Sequence, residues 1–225
     1  NMASRGSNEL VTFSFLSKDN AKLFGGLHNE TVIDNPISLD LNVLRPSILP
    51  NILTAVEKNI SKGINDLFFY EIGYVYEGSN YEDQKLNLGF ARVGSIGNKN
   101  WHSQSRKVDL FDIKADMLSN LRCLNIPNSI NILSDAPDWY HPGRSGSIRL
   151  GNKILGFFGE AHPLVSNKFN LKNNVVFGEI FIETIPQIKK EIIKKHLIIS
   201  PLMSVKRDFS FLIPKEVDAN NLILT

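Results

Sequence analysis

Residues 147–159, Ser-Ile-Arg-Leu-Gly-Asn-Lys-Ile-Leu-Gly-Phe-Phe-Gly, set two β-forming runs on either side of Gly151-Asn152. A two-residue turn of this kind joins antiparallel strands and fixes their register. It constrains more than its own length. A chain with such a hairpin, and with its other strands joined mostly by short connections, builds an antiparallel sheet with helices laid against it, not a doubly wound parallel one. Residues 9–16 alternate as a strand does. Residues 66–76, Asp-Leu-Phe-Phe-Tyr-Glu-Ile-Gly-Tyr-Val-Tyr, read as a long aromatic strand with a bend expected at Gly73, and residues 86–96 and 175–182 add two more strands. Two helices are predicted. Leu49, Ile52, Leu53, Val56 and Ile60 recur at helical spacing between Pro46 and Gly63, while Leu110, Ile113, Met117, Leu121 and Leu124 share a face behind Asp109, which stands at the N-cap. The expected fold is α+β, an antiparallel sheet flanked by helices.

Charge and composition exclude several classes. The 225 residues carry 25 Lys+Arg against 23 Asp+Glu, a formal net charge of +2, which leaves no room for a long polybasic tail or an acidic solvating segment. The longest apolar runs fall far below the ~20 residues that span a bilayer, and no N-terminal run has the order of a secretory signal. The single cysteine, Cys123, excludes an internal disulfide and a Cys-based zinc site. At the end of an amphipathic helix it reads as a buried, inert thiol, in keeping with a reducing cytoplasm. The composition shifts near residue 186 into a Lys-rich stretch, and Ser200-Pro201 opens a new segment. The expected domains are therefore 1–199 and 200–225, with a boundary at 197–201. The apolar ending Leu222-Ile223-Leu224-Thr225 suggests a piece of a longer polypeptide.

Three groups could be taken for sites. His141, Glu160 and His162, with Asp135 and Asp138 nearby, contain metal-ligating types, and Glu160 and His162 would share a face of a strand. Pro142 and Pro163 directly follow the two histidines, which favours turns over a metal site. Gly143-Arg144-Ser145-Gly146 could offer backbone amides to a phosphate, but it lacks a P-loop lysine and G-x-G-x-x-G spacing, and reads as a tight turn before a strand. Lys189, Lys190, Lys194, Lys195, Lys206 and Arg207 form the one local basic excess, suited to an RNA backbone or simply to a solvated face. No Ser-His-Asp or Cys-His arrangement is present, so no catalytic residue is expected.

Four stretches in order carry a resemblance. They are Asn35-Pro-Ile-Ser…Leu44-Arg-Pro-Ser-Ile-Leu-Pro-Asn-Ile-Leu, Leu67-Phe-Phe-Tyr-Glu-Ile-Gly-Tyr-Val-Tyr, Val108-Asp-Leu-Phe-Asp-Ile-Lys-Ala-Asp, and Tyr140-His-Pro-Gly-Arg-Ser-Gly…Leu155-Gly-Phe-Phe-Gly-Glu-Ala-His-Pro. Together they resemble the β subunits of bacterial phenylalanyl-tRNA synthetases over essentially the whole chain. Residues 201–225 resemble the first strand of that subunit's ferredoxin-like anticodon-binding domain. The resemblance implies a class II synthetase-like core that does no chemistry. Its implied partners are the catalytic α subunit, in a heterotetramer of two α and two β subunits, and tRNA(Phe). ATP and Mg²⁺ would serve the whole enzyme, with no cofactor on this chain.

Class II chemistry needs arginines that neutralise triphosphate charge. Where the catalytic subunit has Gly-x-Val-Tyr-Arg, this chain has Gly73-Tyr-Val-Tyr-Glu77. The last core strand, Val175-Val-Phe-Gly-Glu-Ile-Phe-Ile-Glu-Thr184, holds no arginine and two glutamates, Glu179 and Glu183. This copy is therefore expected not to bind ATP, and to act as a scaffold. Leu67–Tyr76 and the helix from Pro46 are the candidate interface, unless they are simply this domain's own core. The alternative is an RNA-binding module using Lys194, Lys195, Lys206 and Arg207. A freestanding adenylate-forming ligase is disfavoured by Glu77.

Overall fold

The computed structural model describes residues 1–97, 101, 104–126, 130–186, 199, 201–215, 217 and 221–222. In chain order its strands and helices begin with β1 (Asn8–Glu9), β2 (Phe15–Leu16), α1 (Lys18–Leu23), β3 (Val43–Leu44) and α2 (Leu49–Ile60). Then come β4 (Leu67–Tyr76), β5 (Gln84–Val93), β6 (Ser95–Ile96), β7 (Arg106–Lys107) and α3 (Leu110–Cys123). The series ends with β8 (Asn131–Leu133), β9 (Tyr140–Leu150), β10 (Lys153–Ala161), α4 (Pro163–Lys168) and β11 (Val175–Phe181). Contacts divide the chain into two units, Asn1–Pro186 and Gln187–Thr225, and all these elements lie in the first. In the second, residues 201–215 form no helix or strand, and the rings of Phe209 and Phe211 stack at 6.2 Å. The composition change near residue 186 falls where the contacts divide.

Seven strands form one sheet in the order β1-β4-β5-β11-β10-β9-β8. Period-two alternation sorts their side chains between two helices. Phe68 and Tyr70 of β4, Leu88 and Phe90 of β5, and Val176 and Ile180 of β11 pack in one cluster with Ile113, Met117 and Leu121 of α3. The residues between them, Leu67 and Phe69, Ala91 and Val93, and Val175 and Phe177, pack in another with Leu49, Ile52, Leu53 and Val56 of α2. α3 starts as expected: the Asp109 carboxylate accepts from the amides of Phe111 and Asp112, and Asp112 reciprocates to the Asp109 amide, completing a capping box. The hairpin also stands, with Lys153 opposite Leu150 across Gly151-Asn152.

One row of residues carries the packing of α2. Glu71 of β4 and Glu179 of β11 are both paired with Gly89 of β5, so two carboxylates flank a glycine on the α2 face of the sheet. α2 begins directly above: a β-carbon on Gly89 would lie 3.1 Å from Ile48 and Ile52. On one side Arg45, just before the helix, forms a buried ion pair with Glu71 at 2.7 Å and bonds the Tyr74 carbonyl and Thr12 hydroxyl at 2.8 and 3.1 Å. On the other side Glu179 accepts from the Ser47 hydroxyl at 2.9 Å and the Ile48 amide at 3.2 Å.

Several sequence expectations need correction. The sheet is mixed, since β1 runs parallel to β4. Residues 9–16 are not one strand: Thr12 turns its hydroxyl to Glu71 at 2.8 Å, and the chain leaves the β4 edge to pair β2 with β3. Gly73 causes no bend. It pairs with Asn87 inside an unbroken ladder, and its missing side chain makes way for the Arg45 guanidinium. Gly143–Gly146 is not a turn before a strand, because β9 starts at Tyr140 and pairs Ser145 with Gly159 and Gly146 with Phe158. Cys123 is exposed, two positions beyond Leu121 and so on the far side of α3, and Leu124, past the last turn, is also exposed.

The crowding at Gly73 gives a direct prediction. Gly73→Ala should destabilise the chain by about 1–3 kcal/mol in chemical denaturation, because the methyl must displace a buried, paired guanidinium. In an Arg45→Leu background most of that increment should vanish. Equal costs in both backgrounds would show that the Arg45 contact is not the cause.

Candidate functional site

On the α2 face of the sheet, beyond the start of that helix, a cavity of about 530 Å³ opens. Its floor comes from the strands: Val75 and Tyr76 from β4, Lys85 and Asn87 from β5, Phe157 from β10, and Glu179 and Phe181 from β11. Phe24, Pro46, Ser47 and Trp139 supply walls, and Glu77 and Glu183 follow directly on β4 and β11. The aromatic walls are linked ring to ring. Phe24 lies 5.7 Å from Trp139, Trp139 6.3 Å from Tyr140, Tyr140 6.5 Å from Phe157, and Phe157 5.6 Å from Phe181 in a T-shaped contact.

The structure thus brings together Glu77, Glu179 and Glu183, the carboxylates that the sequence set where a triphosphate site would need arginines. Among the described residues that line the cavity there is no arginine. The nearest in sequence, Arg45, is spent on Glu71. Glu179 is buried, and its oxygens take hydrogen bonds from Ser47, Ile48 and, at 3.0 Å, the Asn87 amide. Burial raises its pKa above the ordinary carboxylate value, and the Asn87, Ile48 and Ser47 donors, with the Arg45 charge, only partly oppose this. Burial, followed by the neighbouring Glu179 charge, pushes the Tyr140 phenol well above its usual value.

The other sequence candidates are placed elsewhere and engaged. His141 Nδ1 accepts from the Gly143 amide at 3.1 Å, and His162 Nδ1 caps α4 through the Leu164 amide at 3.1 Å. Pro163 is therefore the first helical residue, not part of a turn. Glu160 pairs with Arg144 at 3.0 Å, and Asp135 with Arg149. Among the described residues no three His, Cys, Asp or Glu side chains are grouped to hold a metal ion. Lys189, Lys190, Lys194 and Lys195 lie outside the described residues; Lys206 and Arg207 are exposed.

A polar cluster that sequence reasoning missed sits on the α3 face. Asp116 is fully buried and receives Arg5 at 2.6 Å and Arg92 at 2.5 Å, while the Arg92 guanidinium lies 3.4 Å from the centre of the Phe68 ring. Its signal was faint: Asp116 and Asn120 interrupt an otherwise apolar helical stripe.

The family description that matches residues 1–182 is the phenylalanyl tRNA synthetase beta chain CLM domain. The chain belongs to this family. It is 40% identical over 225 residues to the phenylalanine–tRNA ligase beta subunit of Paramagnetospirillum magneticum, covering 99% of this chain and 28% of that protein. It is also 40% identical, over 231 residues, to the beta subunit of Bartonella henselae, with 99% and 29% covered. The chain thus spans between a quarter and a third of the length of these relatives. In fold it is similar to a solved structure of pyrrolysyl-tRNA synthetase from Desulfitobacterium hafniense, with a TM-score of 0.58 at 14% identity over 81% of this chain and 63% of that one. The expected α+β, class II synthetase-like fold is borne out.

Glu179 makes the site's pH dependence predictable. Its folded-state pKa lies above its value in the unfolded chain, so its charge opposes folding at neutral pH. That opposition is relieved as pH falls through the folded-state value towards the ordinary one. In Glu179→Gln the amide oxygen can still accept from Ile48 and Asn87 while its NH2 donates to Ser47. The variant's stability relative to the parent should be most favourable at pH 7.5 and should decline towards pH 5 in paired thermal unfolding scans. A difference that grows as pH falls would contradict the burial of a charged Glu179.

Proposed function

We propose that this chain is a non-catalytic synthetase-like domain of phenylalanine–tRNA ligase, serving as a scaffold for the catalytic α subunit that charges tRNA(Phe) with phenylalanine using ATP and Mg²⁺. The observation that carries the first half is the charge of the cavity. Three glutamates line it and its one lysine, Lys85, lies 3.8 Å from Glu183. A triphosphate placed there meets three carboxylates and, among the described residues, no arginine and no lysine but the engaged Lys85, so the residues present do not fit ATP, and no reaction step is assigned to them.

The scaffold half rests on α2. Its apolar stripe is consumed by this domain's own core, as are Leu67, Phe68, Phe69 and Tyr70 of β4, so most of the residues first considered for an interface are structural. What remains is a groove of about 650 Å³ between the outward face of α2 and residues 11–17, lined by Pro50, Asn51, Thr54, Ala55 and Lys58. Val11 and Phe13 stand at 94% and 71% exposure beside it, and the side-chain oxygen of Asn51 is buried there with no hydrogen-bond partner. Exposed apolar side chains beside a groove suit a protein partner. The expected results are that the chain shows no ATP binding by calorimetry, that it co-elutes with the cognate α subunit in gel filtration after co-expression, and that Val11→Asp with Phe13→Asp abolishes co-elution without lowering thermal stability. Measurable phenylalanine-dependent ATP–pyrophosphate exchange by the isolated chain would defeat the non-catalytic reading.

Residues 200–225 fit the start of an anticodon-binding domain, following the core in 1–199. Here the exposed pair Lys206 and Arg207 precedes the stacked, exposed rings of Phe209 and Phe211. A basic pair beside stacked aromatics favours a second reading, in which Lys206 and Arg207, with Lys194 and Lys195, contact the tRNA backbone. Replacing Lys206 and Arg207 by Ala should then lower the slope of log affinity for tRNA against log salt by roughly 1 to 2, and an unchanged slope would remove this reading.

A further inference from the structure

The cavity that cannot take a triphosphate is still a built pocket. At about 530 Å³ it lies within the ~300–1,000 Å³ typical of small-molecule sites. Its aromatic walls are Phe24, Trp139, Phe157 and Phe181, the buried Tyr140 ring linking Trp139 to Phe157 without lining the cavity. Its charges do not cancel. Lys85 is already committed, lying 3.8 Å from Glu183 and donating to the Glu82 carbonyl at 2.7 Å. Glu179 is held by neutral donors alone, the Ser47 hydroxyl, the Ile48 amide and the Asn87 side chain. Glu77, exposed at the mouth, has no ion-pair partner among the described residues. The other titratable side chains among the described residues that line it are His28 and Tyr76.

We propose that this cavity binds a small organic cation, an ammonium group carried on an aromatic or apolar body. The carboxylates of Glu77 and Glu179, the second only partly offset by the Arg45 charge, supply a negative field, and a cation inside aromatic walls gains from the ring faces as well as from that field. The apolar body takes the place of water against Trp139, Phe157 and Phe181. The same field that repels ATP selects for the opposite charge, so the pocket discriminates by sign first and by shape second. The inference shares with the proposed function only the sign of the cavity's charge. It needs neither the α subunit nor tRNA.

The test is isothermal titration of the 225-residue chain at pH 7.5 and low salt with three probes of one shape: phenethylamine, neutral 2-phenylethanol and anionic phenylacetate. Phenethylamine should bind saturably with one site per chain, at least about tenfold more tightly than the alcohol, and phenylacetate should give no saturable heat. Glu77 is exposed, so its replacement leaves the core intact. Glu77→Gln should weaken the amine by up to about fivefold and Glu77→Lys by about tenfold, with the affinity for the alcohol unchanged. No saturable amine binding at about 10 mM, equal affinity for amine and alcohol, or an unchanged amine affinity in Glu77→Lys would each overturn the proposal. A separate ATP titration keeps the two readings apart: silence towards both ATP and amine leaves the non-catalytic scaffold standing and removes only this site.

Discussion

The start of α2 is held on the sheet by two buried carboxylates on either side of a glycine. Glu71, Gly89 and Glu179 lie in one row across β4, β5 and β11. Gly89 lets the helix approach until Ile48 touches the strand, Glu71 holds Arg45 before the helix, and Glu179 accepts the first free amide at its N-terminus. Taking charges out of water is costly, and losing one partner of such a pair destabilises by about 3–5 kcal/mol because the other is left buried alone. The row therefore fixes where α2 lies more strictly than its apolar stripe can, since an apolar stripe tolerates sliding and rotation. Much of the α2-facing core follows from that placement.

The same row decides what the molecule can do. Glu179 serves the helix on one side and lines the cavity on the other, so the oxygens that accept the Ser47 hydroxyl and Ile48 amide also set the polarity of the cavity wall. Arg45, the nearest arginine in sequence to the cavity, is turned away from it into the pair with Glu71. The outer face of α2 lines the groove assigned to the α subunit. Helix placement and cavity charge thus use the same residue, and an arginine placed at 179 would disturb the start of α2 as well as change the sign of the cavity wall.

The parts of this arrangement that could be read along the chain are those with a period or a cap. The α2 and α3 stripes, the Asp109 capping box and the Gly151-Asn152 hairpin are local signals, each written within about a dozen residues. The opposition of Glu77 and Glu179 to phosphate was legible through resemblance, and their convergence on one cavity follows from the strands that carry them. What could not be read depends on register. Nothing near Glu71 announces that it faces Gly89 and then Glu179, and nothing near Gly73 announces the Arg45 guanidinium. Asp116 looked like an interruption of a helical stripe, because its partners Arg5 and Arg92 lie 111 and 24 residues away. Cys123 and residues 140–146 were misread for the same reason: burial on α3 depends on which side meets the sheet, and a glycine-containing run becomes a strand when Gly159 stands opposite to receive it.

By itself the sequence determined the class of fold, the two amphipathic helices and the antiparallel hairpin through short spacing, and the family through resemblance. These are features that a chain displays before it folds. Only the tertiary structure decided which carboxylates are buried, which arginine is spent on them, and that one glutamate both caps a helix and lines a cavity. Those facts depend on the lateral pairing of strands distant in sequence, where a shift of one residue would turn every side chain to the opposite face.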